Sequence, residues 1–181
     1  MHGLIHVQLR QFVESRHGVS GWHELNRRAG LDSRAFTALG TYPDADMTRL
    51  VSEAANLTGM PVGDLLEAFG EFVAPTLLNL YSSLVKPGWR TLDLLEHTER
   101  TIHRVVRARQ PGAAPPELSV WRTSKTEVIV TYASQRRMCG LARGIIRGVS
   151  VHYDEQVQIS EQTCMLQGAN TCQIRVRLLP R

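Results

Sequence analysis

Three groups of residues in this 181-residue chain combine types and spacings that could do chemistry: His103, the set Tyr132, Ser134 and Arg136, and the cysteines Cys139, Cys164 and Cys172. His103 falls in a segment from about Thr91 to Ala108 whose apolar stripe is Leu95, Ile102, Val105 and Val106, with Leu92 and Val106 placed near the histidine by helical spacing. Its ring is expected to point inward. His97, six residues earlier, lies roughly 240° round a helix of 100° per residue, so it faces elsewhere, toward water. An inward histidine is either a satisfied core residue or a metal ligand, and the pattern of this one helix allows both.

Tyr132, Ser134 and Arg136 leave the end of a predicted strand two residues apart, so in an extended chain they project to one side. A guanidinium stays charged at any relevant pH and grips a carboxylate with two parallel bonds, while the two hydroxyls donate to what it leaves unpaired. The set reads as an anion clamp, against the plainer reading of a polar strand end in water. Cys164 and Cys172 stand four residues either side of Gly168, within the turn signal Gly168, Ala169, Asn170, so their thiols are expected to oppose each other across a hairpin. Both could hold one metal with Cys139, at the start of the preceding helix, as a third ligand. Three free buried thiols, or a Cys164–Cys172 disulfide formed on oxidation, are the alternatives.

These residues need elements to carry them. Residues 1–108 show helical periodicity, in Ile5, Leu9, Phe12 and Val13, in Met47, Leu50, Val51 and Ala54, and in Leu65, Leu66, Phe69, Phe72 and Val73. Gly18, Gly30 and Gly59 follow periodic segments as C-caps would, and Pro43, Pro61, Pro75 and Pro87 are expected between helices or at their starts. Residues 109–117 hold three prolines and a glycine and are read as a linker. Residues 118–181 then carry a β-branched run from Glu127 to Tyr132, a helix with Leu141, Ile145, Ile146 and Val149 inward, and a strand alternating Cys172, Ile174, Val176 and Leu178 with polar residues. The fold class expected is α+β: a helical N-terminal lobe and a C-terminal antiparallel sheet carrying a helix, in one domain spanning 1–181.

Composition bounds the function. A net charge of +4 comes from arginines spread along the chain, so no block tracks a phosphate backbone and no nucleic-acid partner is expected. No apolar run approaches the roughly 20 residues that span a bilayer, and the first ten residues are too polar for a secretory signal, so no membrane partner and a cytoplasmic location are expected. The odd cysteine count fits a reducing compartment. No Ser/His/Asp set, phosphate loop or catalytic carboxylate pair coheres, and Gly140, Gly144 and Gly148 recur at four-residue spacing on a helix, so an enzyme is not expected.

An inward histidine on a long helix, a proline-containing linker and then Tyr-x-Ser-x-Arg about thirty residues on resemble the H-NOX family, the haem nitric-oxide/oxygen-binding domains. The start Met1 to Ile5, the segment Tyr42 to Asp44 and the stretch Leu65 to Glu71 are similar to it as well. The resemblance implies haem b between the two lobes, with His103 as the proximal iron ligand and Tyr132, Ser134 and Arg136 holding the propionates. It implies that Pro115 presses on the porphyrin. Oxygen-binding members place a distal tyrosine five residues beyond the arginine, where this chain has Leu141; Ile5, Leu9, Val73 and Ala74 are the other distal candidates by position, and none carries a donor. An apolar pocket binding nitric oxide and carbon monoxide but excluding oxygen is the consequence. As implied by the family, nitric oxide loosens the His103 link and the two lobes rotate; a separate partner, such as a histidine kinase or a cyclic-dinucleotide enzyme, reads the motion. Some members carry zinc on the hairpin cysteines and a histidine; this chain has Glu161 at that point, and His152 is the other candidate beside Cys139, Cys164 and Cys172. The runner-up reading is a haem-free or differently liganded relative acting as a small-molecule or protein-interaction module, responsive to redox state or zinc.

Overall fold

The computed structural model describes residues 1–109 and 112–180, so Gln110 and Pro111 of the expected linker lie outside the described residues. Three long helices come first: α1 Gly3–Arg28, α2 Asp44–Thr58 and α3 Val62–Leu80. Their apolar stripes close one core around Leu9, Phe12, Leu25, Met47, Leu50 and Phe69. Gly18 breaks the helical path of α1 with φ 70° and ψ 177°, which lets Trp22 and Leu25 turn back onto this core. Pro43 and Pro61 sit at the N-caps of α2 and α3, and Gly59 ends α2 in the left-handed conformation. Pro75 departs from expectation: it lies inside α3 rather than between helices, where it removes one helical donor.

The segment expected as one helix from Thr91 to Ala108 is three pieces: α4 Thr91–His97, a π turn over Glu99–His103, and α5 Arg104–Arg109. The π turn shows in the long return bond from the His103 amide to the Thr98 carbonyl at 3.0 Å. It adds one residue to the turn and resets the phase of everything beyond it.

Four antiparallel strands follow: β1 Glu117–Ser124, β2 Glu127–Ala133, β3 Val157–Thr163 and β4 Cys172–Leu178, in the spatial order β1-β2-β4-β3. Glu117, the last residue of the expected linker, already belongs to β1. Between β2 and β3 runs α6 Cys139–His152. One sheet face packs Val128, Val130, Ile174 and Val176 against Leu92, Leu95 and Ile146 in a second core, and Trp121 on the opposite face is 73 % exposed. The fold is α+β. No helix among the described residues is long and apolar enough to cross a membrane.

The two cores meet through α3 and α6, whose backbones approach without side chains between them. A Cβ on Gly144 would stand 1.9 Å from the Glu67 carbonyl oxygen, one on Gly70 2.4 Å from that of Leu141, and one on Gly140 2.7 Å from that of Gly63. Charged groups flank this seam. Glu67 accepts from Arg147 Nε at 2.6 Å and Arg143 Nε at 3.1 Å, and these two cations hold its carboxyl below the usual range although burial opposes them.

Candidate functional site

A cavity of about 270 Å³ opens between the two cores, its walls almost wholly apolar. Helices α3 and α6 supply Ala74, Leu77, Leu141 and Ile145 on one side; α4, the π turn and α5 supply Leu95, Ile102, His103 and Val106 on another. Pro115 and Pro116, just before β1, close it as well. Tyr132, Ser134 and Arg136 complete the wall where β2 runs out.

His103 closes the π turn and lines the cavity beside Ile102. Its side chain is 14 % exposed, and Nδ1 lies 2.9 Å from Glu99 Oε2. Burial lowers the imidazole pKa from its ordinary 6.5, against the opposing pull of Glu99 and of the nearby Pro116 carbonyl. A neutral ring with Nδ1 engaged has Nε2 left as its metal-binding atom. His97 faces elsewhere, as expected, but it is half-buried rather than wet: Nδ1 is 2.9 Å from the Asp93 carbonyl and its ring lies 4.5 Å from that of Trp89.

The clamp residues converge by a different route from the one their spacing suggests. Only Tyr132 lies in β2, which ends at Ala133; Ser134 and Arg136 stand in the turn that leads into α6. Burial raises the Tyr132 phenol pKa, while a hydrogen bond with Ser134 works the other way. Arg136 Nη1 donates to the Ala114 carbonyl at 2.6 Å, and Nε pairs with Asp44 Oδ2 at 2.9 Å. Asp44, at the start of α2, also holds the N-terminal ammonium at 2.6 Å. It ties the clamp to the helical lobe, a role that the sequence, read element by element, did not assign.

Of the distal candidates, Ile5, Ala74 and Leu141 line the cavity, whereas Leu9 and Val73 lie wholly buried in the helical core behind it. Their side chains follow the core-facing stripe of α1 and α3. Tyr81, at the C-cap of α3, lines the cavity too, its pKa raised by burial, and was not singled out by sequence.

The cysteines form a second cluster. Cys139 Sγ lies 3.7 Å from Cys164 Sγ, and Cys172 Sγ 4.0 Å from it, so all three are free thiols. Glu161 joins them, with all four potential ligand atoms within 4.8 Å of one another. His152 does not: it ends α6, is exposed and packs on Tyr153. Burial, then the neighbouring Cys172 and Glu161, pushes the Cys139 thiol up to about 12.

A family model described as haem-NO-binding matches residues 2–161. The chain belongs to the haem-NO-binding family. These H-NOX proteins are haem-based gas sensors related to soluble guanylate cyclase. The crystal structure of an H-NOX protein from Shewanella oneidensis in the Fe(II)NO state is 26% identical, with a TM-score of 0.93, covering 99% of this chain and 100% of that one. An NMR structure of an H-NOX domain from the same organism in the Fe(II)CO state is 26% identical with a TM-score of 0.88, covering 100% of both chains. The Caenorhabditis elegans soluble guanylate cyclase gcy-31 is 23% identical over 152 residues, which is 83% of this chain and 22% of the cyclase.

Proposed function

We propose that this H-NOX chain senses nitric oxide, and also binds carbon monoxide, at a haem b held between its lobes, and passes the signal to a separate protein. The carrying observation is the His103 imidazole on the wall of an apolar cavity, with Nδ1 held by Glu99 and with Tyr132, Ser134 and Arg136 on the same wall. The residues fit the group: a ring neutral at pH 7 for the iron, two hydroxyls and a guanidinium for the propionates, and apolar walls for the macrocycle. When bound, haem supplies the open iron position at which a gas can bind. His103 would be the proximal ligand. Pro115, with Pro116 beside it, would press on the porphyrin. Ile5, Ala74 and Leu141, none of which carries a hydrogen-bond donor, would form the distal wall, which favours nitric oxide over oxygen; Tyr81, two turns beyond Ala74, borders the same cavity at the end of α3. Release of His103 would free the π turn and α5 to shift, and α6, shared by both cores, would carry that shift to the other lobe. A histidine kinase or a cyclic-dinucleotide enzyme would suit as the reader, in a cytoplasmic setting, and no catalytic role is assigned to this domain. The two Shewanella structures, in Fe(II)NO and Fe(II)CO states, support the choice of gases.

A zinc site on Cys139, Glu161, Cys164 and Cys172 is favoured by one distance. Two thiolates in a tetrahedral zinc site with bonds of about 2.3 Å stand roughly 3.8 Å apart, and Cys139 and Cys164 stand 3.7 Å apart.

Purified protein from haem-supplemented cells tests the main reading. Anaerobic ferrous protein is expected to show a Soret band that moves with nitric oxide and with carbon monoxide and does not move with oxygen. A colourless protein under those conditions would instead support a haem-free interaction module.

A further inference from the structure

We propose that Glu99 is a positioning residue that sets the strength of the bond His103 makes, an inference that rests on the haem reading above. Glu99 Oε2 accepts from His103 Nδ1 at 2.9 Å and from the Leu118 amide at 3.1 Å, while Oε1 takes Arg107 Nη1 at 2.7 Å. One carboxylate therefore joins the π turn, α5 and the start of β1. Four residues separate Glu99 from His103, and both lie on the π turn, so the contact is built into that irregular turn.

The arrangement has chemical consequences. A carboxylate facing Nδ1 requires the proton on that nitrogen, so the ring is held in the tautomer whose Nε2 lone pair is free. The negative charge beside Nδ1–H also draws the proton toward the carboxylate and makes Nε2 a stronger donor than a lone imidazole. Arg107 and the Leu118 amide act in the opposite sense, since each draws charge from the same carboxylate. They also fix it in place. The donor strength of His103 is thus set by a balance of three partners on Glu99, and the glutamate keeps hold of the imidazole after Nε2 is released.

Glu99→Gln tests this because it keeps an acceptor oxygen and the side-chain shape while removing the charge. In full-length haem-loaded ferrous protein, the iron–histidine stretching frequency measured by resonance Raman is expected to fall in Glu99→Gln and to rise in Arg107→Ala. Frequencies equal to wild type in both variants, at unchanged melting temperature, would overturn it. A haem-independent readout accompanies these: 15N NMR of the His103 ring in apo protein is expected to show Nδ1 protonated in wild type and mixed tautomers in Glu99→Gln. Mixed tautomers in wild type would overturn it even if haem binds normally; a wild-type chain that takes up no haem would remove the reading beneath it.

Discussion

Two buried histidines in this chain illustrate how burial and partners divide their roles. His103 lines a cavity and has a carboxylate on one nitrogen, whereas His6 is fully buried, stacks on Phe36 at 4.5 Å and has, among the described residues, no side-chain hydrogen-bond partner, with only a weak pull from the His2 backbone. Desolvation lowers His6 from its ordinary 6.5 to about 4. The unfolded chain therefore takes up a proton near pH 6.5 that the folded chain refuses until about pH 4, so stability is full above that window and falls as pH drops through it. Substitution His6→Phe is expected to flatten this slope, recovering on the order of 3 kcal/mol at the acid end by the usual conversion of pKa shift to free energy, as read from urea unfolding at a series of pH values. An unaltered slope would place the acid sensitivity elsewhere. His103 was legible in sequence because one apolar stripe pointed at it. Glu99 was missed although its four-residue spacing from His103 stacks the two on any helix, because the apolar stripe draws attention to the histidine and not to the acid one turn before it.

At the scale of elements, the seam between α3 and α6 is the feature that regular patterning only half reveals. Gly140, Gly144 and Gly148 announce themselves at four-residue spacing, but their meaning depends on a partner, Gly70 and the backbone of α3, that no local pattern names. Because the Glu67 carbonyl occupies the place of a Gly144 Cβ, Gly144→Ala must push the helices apart; the expected loss is about 3 kcal/mol, at the upper end for overpacking. Chemical denaturation measures it, with Gly59→Ala as a control that meets open space and pays only for its positive φ, about 1 kcal/mol. Equal losses would mean that the seam yields easily. Elsewhere, β4 and β2 were legible from alternation and β-branching, whereas Leu118 and Val120 of β1 alternate too briefly, and against too polar a background, to stand out. Pro75 misled because a proline usually marks a boundary, yet α3 continues through it to Leu80 with Pro75 on its exposed face.

For the whole molecule, the cavity and the cysteine cluster are neighbours across one strand pair: Tyr132 of the clamp pairs with Cys172 of the cluster. Glu161 of that cluster also receives Arg143 Nη1 at 3.0 Å, whose Nε reaches Glu67 on the seam. If the cluster binds zinc, elemental analysis is expected to find one equivalent in wild type and none in Cys139→Ser/Cys172→Ser, with a lower melting temperature in the variant. Since buried thiols must lose protons to bind, occupancy is expected to rise with pH. Metal-free wild type of unchanged stability would favour three plain thiols.

The proposed bond from His103 to iron is put to the test by His103→Gly. Ferrous protein carrying this substitution is expected to lose the wild-type Soret band and regain it when free imidazole is added, which then occupies the space the side chain left. A variant whose spectrum matches wild type without imidazole would contradict the account, because the iron would then be held by some other residue.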